Sequence, residues 1–156
     1  MDYLVNLSTL PQDTKSPDAM AKAGVTIRRA LPPELKLIVR WIDEHFGEAW
    51  ASEATVAMTR QPPTCFIATR EGKLVGFSCH EATAPDFFGP TGVDESLRGL
   101  GIGRALLFAS LNDLKTMGYG YAIIGDVGPS TFYEKAVGAT AIPDSAPGIY
   151  AGMLKS

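Results

Sequence analysis

The sequence predicts an α/β domain, and three observations lead there: a hairpin signal over residues 64–80, an apolar stripe of helical period over residues 107–117, and alternating glycines that join an extended segment to that stripe. At 156 residues, 46% apolar and 20% charged, the chain is long enough to bury one core and far from the composition of disordered chains. One folded main domain is the expectation.

Residues 3–7 read as a short strand, and the polar stretch 11–22, which contains Pro17, reads as a linker or arm. Residues 1–24 are therefore expected as a strand, arm and linker ahead of a main domain at 25–156. Val25–Arg29 alternates Val25 and Ile27 with polar neighbours, a strand pattern. Pro32 and Pro33 suit a helix start, Leu35, Ile38, Val39, Ile42 and Phe46 share one helical face, and Gly47 ends it. A weaker helical segment covers residues 52–60, closed by Pro62 and Pro63. The runs 64–69 and 73–80 are apolar and β-branched and flank Glu71 and Gly72, the form of a tight antiparallel hairpin.

Phe87–Val93 looks extended, but Gly89, Pro90 and Gly92 interrupt it. Proline has no N–H for a regular ladder, so a bulge or splayed strand is expected. Leu107, Leu111, Leu114 and Met117 recur at spacings of three and four, with Gly118 at the helix end. Residues 119–124 read as a short buried strand, Ser130–Val137 as a short helix before Gly138, and residues 149–154 as a last strand.

A net charge of -3 provides no broad basic footprint for a nucleic-acid backbone, so an anionic ligand has to be held locally. No apolar stretch approaches the ~18 residues of a membrane span, and no basic flank precedes an apolar signal core; a cytoplasmic protein is expected. Cys65 and Cys79 lack the spacing of a zinc site and read as buried core thiols, and no metal is expected.

The turn Arg98-Gly99-Leu100-Gly101-Ile102-Gly103-Arg104 joins the extended segment ending in Val93 to the helix. Glycines let backbone N–H groups approach a bulky anion, and the first helical turn adds free donors and the positive end of the helix dipole. A pyrophosphate suits such a place, with Arg98 and Arg104 as local positive charge. The dinucleotide fingerprint does not fit, because Arg104 stands where its last glycine belongs, and the lysine of a Walker A loop is missing.

This turn, in the run RGLGIGRALL from Arg98 to Leu107, together with FYEKAVGA from Phe132 to Ala139, resembles the GNAT superfamily of acyl-CoA-dependent N-acyltransferases over about residues 25–154. The resemblance implies a mixed, mostly antiparallel sheet flanked by helices, with a splayed parallel strand pair that admits the pantetheine arm of acetyl-CoA. It implies pantetheine contacts around Val93, pyrophosphate contacts from the Arg98, Gly99, Leu100, Gly101, Ile102, Gly103 and Arg104 turn, and a tyrosine, Tyr133, near the coenzyme sulfur. Two departures stand out: Asp126-Val127-Gly128-Pro129 occupies the region where the family often has an asparagine, and Gly138-Ala139 replaces the usual Gly-Phe.

The activity so implied is direct acetyl transfer from acetyl-CoA to a primary amine in a ternary complex. It needs a base for the ammonium and an acid for the departing thiolate. Tyr133 is the candidate acid. Asp126, after a buried strand, is a candidate base if burial raises its pKa, or else a turn or capping aspartate. Glu81 and His80 end the hairpin strand and are a candidate base and acceptor contact, or else surface polar residues.

Asp43, Glu44, His45, Glu48, Trp50 and Glu53 cluster around the early helices. Glu48 and Trp50 are the acceptor-site candidates there, with a solvated charged face as the alternative. A small-molecule amine is the expected partner, and a homodimer is left open. The competing readings are a noncatalytic acyl-CoA-binding or regulatory module of the same fold, and an interaction protein that offers residues 3–7 as an added strand.

Overall fold

The computed structural model describes residues 1–156. In chain order the elements are β1 (Tyr3–Asn6), α1 (Ser16–Ala23), β2 (Val25–Arg29), α2 (Leu35–Phe46), α3 (Glu48–Met58), β3 (Cys65–Arg70), β4 (Lys73–His80), β5 (Phe87–Val93), α4 (Ile102–Thr116), β6 (Tyr121–Ile124), α5 (Ser130–Val137) and β7 (Thr140–Ala141). The hairpin signal is realised in β3 and β4, where Cys65 faces Cys79 and Arg70 faces Lys73.

One seven-stranded sheet runs in the order β2-β3-β4-β5-β6-β1-β7. Every neighbouring pair is antiparallel except β5 and β6, so the sheet is mixed and mostly antiparallel, flanked by helices, as the family resemblance implies. Side chains alternate between its faces, as strand geometry requires. Cys65, Ile67, Phe77 and Cys79 meet α2 and α3 on one face. Ala68 and Val75 meet Met20 of α1 and Ile102, Ala105 and Leu106 of α4 on the other. A third cluster joins α4 and α5 to Val5, Leu7, Phe88 and Ile124.

Two segments differ from expectation. The 11–22 stretch is not only a linker: Ser16–Ala23 is helical, with Pro17 in its first turn where a missing N–H does no harm, and its Met20 enters the core. The strand expected at 149–154 does not form; Gly148–Tyr150 makes one 3-10 turn and no strand follows. The free edge of β6 is taken instead by β1, with Tyr3 facing Ile124 and Asn6 facing Tyr121. Burial decides between the two: Val5 and Leu7 are wholly enclosed, whereas Ile149, Met153 and Leu154 are exposed. Residues 1–24 are thus part of the same sheet and its helical cover.

Candidate active site

The site begins with a fault in β5. Between the pairs Ser78–Thr91 and His80–Phe88, Gly89 and Pro90 oppose the single residue Cys79, which is a bulge. It resets the alternation, so Phe88 packs into the cluster under α4 and α5 while Gly92 looks toward α2. The parallel partner β6 stays in register only at Phe87–Ile123 and Phe88–Ile124. Beyond Phe88 the strands part, and the β6-facing side of β5 as far as Val93 has no ladder partner.

From Val93 the chain passes through a turn pinned by Asp94, whose carboxylate accepts from the Ser96 N–H at 2.9 Å. Gly99 and Gly101 then adopt φ of 88° and 89°, left-handed values that suit glycine. The backbone N–H groups of Gly99, Leu100, Gly101, Ile102, Gly103 and Arg104 donate to no acceptor of the protein, and no side chain caps α4. A row of donors at the head of a 15-residue helix can accommodate an anion of pyrophosphate size. Arg98 is exposed beside it. Arg104 turns away: its Nε lies 3.4 Å from Asp13 and its guanidinium covers Phe108, so its contribution to the turn is its backbone.

Tyr133 stands in α5 where β5 and β6 begin to part, its ring set edgewise against Phe88. It is 6% exposed, its hydroxyl has no protein partner, and burial pushes its pKa up to about 12. The phenol therefore keeps its proton at neutral pH and is a donor.

The other candidates separate. Asp126 is exposed, held by its N–H to the Asp2 carboxylate at 2.9 Å, so it lacks the burial that its role as a base called for. His80 is 0% exposed and points to the α4 face, where its Nε2 donates to Asp113 at 2.6 Å and its ring stacks on Phe66; it does not reach the face that carries α2 and α3. Burial pulls its pKa down, which keeps it neutral and buried. Glu81 is also enclosed, accepting from the Tyr119 hydroxyl, and belongs to a different cavity, beside Arg29, Arg60 and Asp113. Glu48 lies in the outer groove between α2 and α3 with Lys36, Arg40 and Asp43, turned away from β5.

Trp50 does face the sheet. Its ring packs 5.1 Å from Phe46 and 6.3 Å from Phe77, and Phe46 lies so close over Gly92 that a Cβ there would come within 2.5 Å of the ring. Three positions after Trp50, on the same side of α3, stands Glu53. Its carboxylate accepts from the Thr83 hydroxyl and from the Tyr150 hydroxyl at 3.2 Å. Burial first, and then the charge of Glu53, push the Tyr150 phenol up. Glu53 was one member of the acidic cluster in sequence, and its spacing from Trp50 is the signal that sets it apart. Nothing in sequence marks Thr83 or Tyr150 as its partners.

A model of the acetyltransferase (GNAT) family matches residues 34–139, more than half of the chain. The mycothiol acetyltransferase of Thermomonospora curvata is 33% identical over 120 residues, covering 69% of this chain and 40% of that protein. Among solved structures, a GCN5-related glucosamine N-acetyltransferase region of a fungal multi-domain GH3 β-N-acetylglucosaminidase superimposes with a TM-score of 0.72 at 18% identity, over 87% of this chain and 19% of that one. A GCN5-related N-acetyltransferase from Sphaerobacter thermophilus gives 0.67 at 19% identity, over 89% and 47%. This chain thus spans less than half the length of each of these relatives, and the two structural matches speak to the fold. No helix is long and apolar enough to cross a membrane. The matched family and the shared architecture agree: this chain belongs to the GNAT family of acetyltransferases, which draw their acyl group from acetyl-CoA.

Proposed function

We propose that this chain transfers an acetyl group from acetyl-CoA to a primary amine by direct attack in a ternary complex. The observation that carries the reading is the unbroken row of unpartnered N–H groups from Gly99 to Arg104, placed at the mouth of the gap between β5 and β6. Those donors fit the pyrophosphate, and the open edge of β5 up to Val93 fits the pantetheine amides. Acetyl-CoA supplies the activated acetyl thioester.

Tyr133 is the acid in this reading, a neutral phenol held at the head of the gap. Glu53 holds the acceptor ammonium and takes its proton, directly or through one water, with Thr83 and Tyr150 fixing the carboxylate. Phe46, Trp50 and Phe77 make an aromatic wall beside it for the body of the acceptor. Cysteine chemistry is disfavoured: Cys65 and Cys79 are fully buried, and their mutual contact, then burial, push the Cys79 thiol well up, which keeps thiolate scarce. The inert cysteines favour direct transfer over an acyl-cysteine intermediate.

Calorimetry with acetyl-CoA and thiol release across aromatic amines, amino sugars, polyamines and amino acids test the proposal. Binding plus release with at least one amine class is expected. Binding without release across the panel points to a noncatalytic module, and absence of binding overturns the coenzyme assignment.

A further inference from the structure

At the opposite end of α4 from the glycine turn lies a polar cavity of about 470 Å³, within the usual range of small-molecule sites. Its walls come from the end of β2, the last turn of α3 and the loop that follows it to the start of β3, the residue after β4 and the end of α4; none comes from β5, β6 or the glycine turn. The charged lining is Arg29, Arg60, Glu81 and Asp113, so the opposite charges balance in number.

They do not balance in pairing. Arg29 is engaged through both terminal nitrogens, forking onto Asp113 at 2.7 and 3.2 Å and donating to the Pro63 carbonyl at 2.8 Å. Arg60 is fixed only through its Nε, which donates to the Glu81 carbonyl at 2.9 Å; its two terminal nitrogens have no acceptor in the protein, and no salt bridge links it to Glu81. The Glu81 carboxylate accepts from Tyr119 through one oxygen and leaves the other without a donor. Thr64 adds an independent mark. It is 4% exposed and its backbone is held on both sides, by Ala57 and His80, yet its buried hydroxyl has no partner. A buried hydroxyl left this way calls for an explanation, because buried polar groups are almost always satisfied.

A simple anion brought to Arg60 meets Glu81 and Asp113, and a simple cation brought to Glu81 meets Arg29 and Arg60. A small zwitterion meets both requirements at once. We propose that this cavity is a second ligand site, separate from the acetyl-transfer cleft, for a free α-amino acid whose carboxylate is held by Arg60 and Thr64 and whose ammonium lies against Glu81.

The test is calorimetric titration of the full chain with each common L-amino acid, with acetate and ethylamine as single-charge controls. At least one amino acid should bind with a Kd in the low-millimolar range or tighter, and both controls at least about tenfold more weakly. Arg60→Gln and the isosteric Thr64→Val should each raise that Kd about tenfold without lowering the thermal midpoint appreciably. Glu53→Gln should leave it unchanged. The proposal is overturned if no amino acid binds in that range, if acetate or ethylamine binds as well as the best amino acid, if neither Arg60→Gln nor Thr64→Val weakens binding, or if Glu53→Gln abolishes it and so places the ligand in the acceptor cleft.

Discussion

The two sides of the candidate cleft are made of different material. The side proposed for the coenzyme is backbone: N–H groups from Gly99 to Arg104 and the unpaired edge of β5, all within one continuous stretch of chain. The acceptor side is side chains, with Glu53 and Trp50 from α3, Phe46 from α2, Thr83 from the β4–β5 loop and Tyr150 from the carboxy-terminal segment. A side built of main chain is sensitive to conformation and tolerant of side-chain change. A side built of side chains is the reverse, and acceptor choice can vary there without disturbing the coenzyme seat.

Substitutions can break this contrast. The largest effect is expected for Tyr133→Phe, which bridges the two sides: kcat should fall by roughly two to four orders of magnitude, with acetyl-CoA affinity nearly unchanged in calorimetry. A variant of equal turnover would remove the phenol as the acid. Glu53→Gln should follow, lowering kcat/KM for the amine on the order of a hundredfold, again with coenzyme affinity retained. Loss of coenzyme affinity instead would show that the sides are not independent.

On the coenzyme side, Gly101→Val should weaken acetyl-CoA about tenfold, because a β-branched residue resists the left-handed φ of 89° that aims the donors. Arg98→Ala, which spares the backbone, should cost only about threefold and lose that difference in high salt. If Arg98→Ala proves the more damaging of the two, the seat is made of charge and not of main chain.

The smallest effect is expected outside both sides, at His80. Burial depresses its folded pKa below the unfolded value of 6.5, so the unfolded chain takes up the proton first as pH falls. Its contribution to stability is complete above about pH 6.5 and is lost as pH falls from there through the folded pKa. Thermal midpoints of the wild type should decline in that window, and His80→Leu should flatten that part of the curve. An unchanged slope would show that other groups carry it.

The same contrast explains what the sequence could disclose. The turn with free donors at Gly99, Gly101 and Gly103 is legible because glycines at that spacing mark a tight approach to a helix start, and the hairpin and α4 are legible because local periodicity reports burial. Glu53 stands apart from the neighbouring carboxylates by its three-residue spacing from Trp50, but that spacing is legible only once α3 is seen to start at Glu48, and its partners Thr83 and Tyr150 lie far away in sequence. Glu48 misleads for a local reason: it lies two residues before Trp50, which on a helix turns it toward the outer groove. His80 carries a titratable ring at a strand end, and only the position of Asp113 in α4 reveals it as a buried structural partner. The β1 exchange for a carboxy-terminal strand was unreadable locally, because both segments are short and apolar and only the competition for β6 separates them.

That exchange has a consequence for how the molecule is made. Tyr3 pairs with Ile124, so β1 finds its partner only after about 120 further residues have been made. Until then the apolar Val5 and Leu7 travel unprotected, and β6 emerges with an unsatisfied ladder of its own. Closure of so distant a pair makes the seven-stranded sheet slow to complete, and shaving the first residues would leave a sticky flank that invites self-assembly.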